Sequence, residues 1–174
     1  MRRSSLILAL ALGLLSTNVH ADLKELIVQQ EEEFEEIDLL EQLVQAQKEP
    51  PMQQRLYTFF KKHKVRQPAF LAKLLAKDKR AKHMAVIAVL ESRGNARAVN
   101  SRTGATGLFG VMQFWKKSLH ITGDLKDPIV NYNAARRILD IHVAEAKSFH
   151  QALVNYSGRT PGYANQVLTL ANTI

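Results

Sequence analysis

No helix can continue through Pro50-Pro51. Proline has no backbone donor, and its ring clashes with the turn before it. The pair divides the chain, and the charge reverses sign across it. Residues 22–50 hold ten acids (Asp22, Glu25, Glu31, Glu32, Glu33, Glu35, Glu36, Asp38, Glu41 and Glu49) against Lys24 and Lys48. Residues 51–174 hold twenty Lys and Arg against six acids, a net +14. Two units of opposite charge are expected, the second long enough to bury its own core.

Residues 1–21 read as a secretory signal rather than as part of the fold. Arg2 and Arg3 give a basic start, residues 6–15 are apolar apart from Gly13, and Val19-His20-Ala21 suits cleavage after Ala21. The apolar run is about half the ~20 residues that a membrane-spanning helix needs, and nothing downstream is apolar enough, so no transmembrane helix is expected in the mature chain. The expected location is the periplasm. For a cytoplasmic chain, a +14 unit would suggest nucleic acid. Export instead points to an anionic envelope polymer or surface, with a solvated basic face as the plain alternative and no nucleic acid expected.

Helical spacing recurs along the chain, and no strand pattern of useful length does. In residues 22–49, Leu23, Ile27, Phe34, Ile37, Leu40 and Val44 follow three- and four-residue steps. Such a helix cannot bury its own stripe, so it should dock, either on the basic unit or on an envelope protein partner through residues 22–50. Further helices are expected at 52–63, from Pro68 to about 77, and at 79–91, closed by Gly94 as a left-handed cap. Residues 101–110, with three glycines, read as a loop or a tight irregular hairpin. Helices follow at 111–118, 131–147 (after Asp127-Pro128), 149–156 and 163–171, the last set off by Pro161-Gly162. The class is mainly α.

With no cysteine, the chain has no disulfide, thiolate metal site, thiol nucleophile or lipidated cysteine. The histidines downstream of the signal (His63, His83, His120, His142, His150) form no i,i+4 pair. No metal and no cofactor are expected. The residue that most suggests chemistry is Glu91, which follows the apolar stretch Met84-Ala85-Val86-Ile87-Ala88-Val89-Leu90. Apolar surroundings favour the neutral carboxylic acid, and an acid still protonated near neutral pH can give a proton to a leaving oxygen. The competing reading is a helix-end glutamate in solvent. The other acids beyond residue 51 are Asp78, Asp124, Asp127, Asp140 and Glu145, and none adjoins it in sequence. A two-carboxylate glycosidase needs a partner about 5–9.5 Å away, so single-carboxylate chemistry enters the comparison.

The stretch 86–100 with Glu91-Ser92, followed by Thr103-Gly104-Ala105-Thr106-Gly107-Leu108, resembles the catalytic core of family 1 lytic transglycosylases, the SLT domain. Leu125-Lys126-Asp127-Pro128-Ile129-Val130-Asn131 resembles that family's Leu-x-Asp-Pro-x-x-Asn. Ala152-Leu153-Val154-Asn155-Tyr156-Ser157-Gly158 resembles its Ala-Leu-x-x-Tyr-Asn-Gly, and Tyr163-Ala164-Asn165-Gln166-Val167 its Tyr-x-x-x-Val. The resemblance covers about residues 80–174. It implies a lysozyme-like transglycosylase domain over 51–174, preceded by an acidic helix. It also implies cleavage of the MurNAc–GlcNAc β-1,4 bond of peptidoglycan with closure of a 1,6-anhydro ring. Glu91 then matches the family's acid and base, Ser92 the serine that supports it, and Tyr156 the tyrosine that hydrogen-bonds it. Phe109, Gly110, Met112, Gln113, Ser157 and Tyr163 fall at substrate-facing positions.

The chain also departs from the pattern. Phe109 and Gly110 stand where the family has Met-Gln, Gln113 where it has proline, and Ser157 where it has asparagine. Losing a hydrogen bond to substrate costs about 1–3 kcal/mol. Two other functions therefore compete with a lytic transglycosylase: a non-catalytic peptidoglycan-binding scaffold on the same fold, and a hydrolytic muramidase using Asp124 or Asp127 to position water.

Overall fold

The computed structural model describes residues 17–48 and 50–174. The chain divides into two compact units at Pro50/Pro51. The first contains one long helix, α1 (Thr17–Lys48). The apolar run of the expected signal lies outside the described residues. Helix α1 is already helical at Thr17, where the described residues begin, and runs through Ala21, since Thr17-Asn18-Val19-His20 contains no breaker. Its large apolar residues Leu26, Phe34, Ile37 and Leu40 are more than half exposed. No helix among the described residues is long and apolar enough to cross a membrane.

The second unit contains seven helices: α2 (Met52–Lys62), α3 (Pro68–Leu75), α4 (Ala81–Ser92), α5 (Gln113–Ser118), α6 (Pro128–Glu145), α7 (Phe149–Tyr156) and α8 (Tyr163–Ala171). Among the described residues there are no extended strands. The stretch 99–111 makes two isolated antiparallel bridges, Val99 with Thr106 and Thr106 with Val111, which realises the irregular hairpin.

The ends of the helices have local causes. Helix α6 begins three residues earlier than expected, because the Asp127 carboxylate caps it by accepting from the N–H groups of Ile129 (2.8 Å) and Val130 (3.1 Å). Pro128 fills the first turn, where its missing donor costs nothing. Helix α5 begins two residues late, since Val111 exchanges backbone hydrogen bonds with Thr106. The start of α4 is delayed to Ala81 by a turn in which the Asp78 carboxylate accepts from Arg80 N–H at 2.7 Å. Its end turns left-handed at Arg93 (φ 50°) and Gly94 (φ 74°). Gly94 is required there by space as well as by φ, since a Cβ would strike the Val65 side chain and the Arg66 carbonyl.

Helix α4 is the centre of this unit. Seven of its residues are buried (Ala81, Met84, Ala85, Val86, Ile87, Ala88 and Val89), as expected for a helix apolar on most sides. It packs against α2, α3 and α8, while α7 bridges α6 and α8. Leu56 and Phe60 of α2, Leu71 and Leu75 of α3, Leu139 of α6, Leu153 of α7 and Val167 of α8 complete the core. Each buried aliphatic or aromatic side chain contributes about 1.5–3 kcal/mol. Every buried residue of the described chain lies between 56 and 171.

Candidate active site

Glu91 sits in the last turn of α4, where the buried helix emerges from the core. Three elements converge on it. From α8, the Tyr163 hydroxyl donates to Glu91 Oε1 at 2.7 Å. From the hairpin, Gly110 (φ 62°) lies against the carboxyl group so closely that a Cβ there would collide with Oε2. From α7, the Tyr156 hydroxyl donates to the Phe109 carbonyl at 2.9 Å, which ties the backbone beside Gly110 to that helix. Ser92, next to Glu91, donates to the Leu108 carbonyl at 2.8 Å, and its oxygen accepts from Gly94 N–H at 3.1 Å. Ser92 thus joins the end of α4 to the hairpin beside the carboxyl group.

Burial pushes the Glu91 carboxyl above the ordinary carboxylate range, and the Tyr163 hydrogen bond pulls it partly back. Both tyrosines are pushed above the ordinary phenol value, first by burial and then by the charge of Glu91. They stay neutral, so each hydroxyl keeps the proton it donates. With Tyr163 donating to Oε1, the proton of the neutral acid belongs on Oε2. The other acids with contacts in this unit have structural roles. Asp127 caps α6, Asp78 accepts from the Tyr132 hydroxyl at 2.5 Å, and Asp140 pairs with Arg80 at 2.6 Å. Asp124 accepts from Lys126 N–H at 2.9 Å.

Residues 69–163, more than half of the chain, match the Transglycosylase SLT domain family. The chain belongs to that family. No curated protein and no solved structure matches it. The SLT segment runs from the first turn of α3 to Tyr163 and so includes both ends of the Glu91–Tyr163 hydrogen bond. Its mainly helical architecture is that of a lysozyme-like SLT domain.

The SLT domain separates the residues singled out in the sequence into two groups. Glu91, Ser92, Gly110, Tyr156 and Tyr163 are brought together around one carboxyl group. The hydrogen bond to Glu91 expected of Tyr156 comes instead from Tyr163, because the left-handed turn at Gly162 (φ 76°) starts α8 so that its first residue faces the end of α4. Phe109 is a second correction. Its ring is fully buried, packed against Tyr132 at 6.0 Å between centroids, and presents no surface to a substrate. Its contribution to the site is its carbonyl oxygen.

The departures from the family pattern have physical consequences. Gly110 does more than remove an amide: it makes the space that the Glu91 carboxyl occupies, and a glutamine could not stand there without displacing it. Ser157 uses its hydroxyl on its own turn, donating to the Val154 carbonyl at 2.9 Å and accepting from Thr160 N–H at 3.1 Å. Gln113 is exposed at the start of α5, where its amide reaches Thr106 Oγ1 only at 3.5 Å. Met112, half-buried, precedes it.

One polar residue of the domain had not been singled out as part of the site. Asn131 is fully buried, and its amide makes three hydrogen bonds of 2.8 Å, two of them to the hairpin. Its signal in the sequence was a polar side chain among the apolar residues of a helix's second turn, following a capping Asp-Pro.

Proposed function

We propose that this SLT domain is a peptidoglycan lytic transglycosylase that acts outside the cytoplasm on the MurNAc–GlcNAc β-1,4 bond. The observation that carries the reading is the half-buried Glu91 carboxyl, held by Tyr163 and raised above the ordinary carboxylate range. An acid still protonated near the working pH can deliver a proton at the moment a bond breaks.

In this reading Glu91 protonates the glycosidic oxygen from Oε2, and the C1–O bond breaks. The resulting carboxylate, steadied by the Tyr163 hydroxyl, takes the proton from the muramic 6-hydroxyl. The freed O6 closes on C1, giving the 1,6-anhydro ring and returning Glu91 to its acid form. One carboxylate serves both steps. The structural occupations of Asp124 and Asp127 support this over a hydrolysis in which either positions water. Ser92 and Tyr156 hold the backbone around the acid. Gly110 borders the carboxyl on the hairpin side, Met112 and Gln113 follow it in the chain, and Ser157 lies at the end of α7.

The same fold used only to bind glycan is the second reading. It is favoured by the commitment of Ser157 to its own turn and by the absence of an amide at Gly110. The mass of released muropeptides separates the two. The unaltered protein is expected to release fragments one water lighter than hydrolytic products, and Glu91→Gln to release none while still binding the wall. Binding without release by the unaltered protein would favour the scaffold, and hydrated reducing ends would favour a muramidase.

A further inference from the structure

We infer that Asn131 is a positioning residue that clamps the loop 106–110 over Glu91 and so fixes the aim of its carboxyl group. The inference rests on the reading of Glu91 as the reacting acid.

Asn131 lies in the second turn of α6, anchored by its own N–H to the Asp127 carbonyl at 2.9 Å, and is 0% exposed. Its amide contacts three backbone groups. Oδ1 accepts from Phe109 N–H, and Nδ2 donates to the carbonyls of Thr106 and Leu125, each at 2.8 Å. One planar side chain thus satisfies backbone groups on both sides of Gly107 and ties them to the approach to α6. An aspartate would lack the two donors, and an aliphatic residue would leave buried polar groups without partners, at a cost of about 1–3 kcal/mol each. Gly107 (φ 83°) is the matching requirement, since a Cβ there would collide with the Asn131 amide and the Leu125 carbonyl.

The clamped loop is the one on which the site is built. Its Leu108 carbonyl receives Ser92, its Phe109 carbonyl receives Tyr156, and its Gly110 lies against Glu91. The neighbouring Tyr132 packs on the Phe109 ring, and its hydroxyl is fixed by Asp78. The first turns of α6 therefore hold both the backbone and the side chain of the strap that covers the acid. Without Asn131 the strap lifts, water reaches Glu91, and the burial that pushes its carboxyl upward is relieved. The ionisable groups facing Glu91 are Tyr163 from α8 and Tyr156 from α7; both stay neutral, so neither masks the change.

The test uses the full chain with carbon-13 in its glutamate carboxyls. The Glu91 signal is assigned by its loss in Glu91→Gln, and its titration midpoint is followed in Asn131→Ala and in Leu56→Ala, a core deletion in α2. Both variants should melt at lower temperature. Only Asn131→Ala should move the Glu91 midpoint down towards the ordinary carboxylate range, with the high-pH limb of wall cleavage moving in the same direction. An unmoved midpoint in Asn131→Ala would reduce Asn131 to a fold residue and overturn the inference.

If Asn131→Ala does not fold, amide exchange in the unaltered chain decides. Phe109 N–H should exchange as slowly as the amides of α4, and exchange as fast as at Thr103 would overturn the clamp. The titration and the exchange need no substrate. An unaltered protein that does not cleave the wall would sink the proposed function and leave the clamp readable.

Discussion

Helices α1 and α4 both carry apolar residues at helical spacing, but among the described side chains only those of α4 are buried. In α4, seven residues are buried and Glu91 is the only acid. In α1, Leu26, Phe34, Ile37 and Leu40 are more than half exposed, on a helix studded with glutamates. Spacing alone therefore does not make a core. Helix α4 is surrounded by α2, α3 and α8, and its one acid is half-buried as a result. The same residue type on α1, exposed from Glu31 to Glu36, has no comparable environment. In the proposed function, what fits Glu91 to donate a proton is the buried helix it stands on.

Substitutions in the two regions test this contrast, and the largest effect should come from Glu91 itself. Glu91→Gln keeps the shape of the side chain and removes the transferable proton. Cleavage of peptidoglycan should fall about 10²–10⁴-fold, whereas Glu33→Gln on α1 should leave the rate unchanged. Equal losses would break the comparison. Next in size is the core. Leu56→Ala empties a fully buried position and should cost about 2–5 kcal/mol of stability in denaturant unfolding.

Tyr163→Phe acts on the acid through one hydrogen bond. Without the Tyr163 donor, burial is unopposed and the Glu91 carboxyl rises further. The limb of the pH–rate profile that requires a protonated Glu91 should move to higher pH. Stability follows by linkage. Below the ordinary carboxylate range, folded and unfolded chains are both protonated at Glu91 and no stability is lost. As pH rises, the unfolded chain releases its proton first, and stability falls until the folded Glu91 ionises. Tyr163→Phe should extend that falling region upward, as read from melting temperature against pH. An unchanged profile would mean that the hydroxyl does not act on Glu91. The smallest effect belongs to α1, where Phe34→Ala should change stability by less than about 0.5 kcal/mol. A loss as large as that of Leu56→Ala would show that the stripe of α1 is buried in solution.

The sequence made much of this legible where punctuation is strong. Helices α7 and α8 begin and end where Ser148, Pro161 and Gly162 say they should, because caps and breakers act within a few residues. The start of α6 was misplaced by three residues although its cap was visible, since a proline at the first helical position reads equally well as loop. Glu91 stood out because its apolar neighbours are adjacent in the chain. Tyr163 is read from its motif as facing substrate, and its bond to Glu91 is not legible because it spans 72 positions and depends on how α8 leaves Gly162. Asn131 was hidden for the same reason, since its bonds to Phe109 and Thr106 span 22 and 25 positions. Phe109 was placed towards substrate by its position in a motif, while its chemistry, a large apolar ring, already argued for the core.

In the proposed reaction a single half-buried carboxyl passes a proton out and takes one back, so that the sugar's own hydroxyl and not water closes the reaction. Cleavage of peptidoglycan in water enriched in oxygen-18 tests it directly. The released anhydro-muropeptides should carry no label at the muramic C1, and Glu91→Gln should release none. Labelled reducing ends formed by the unaltered protein would show that water is the acceptor and would contradict it.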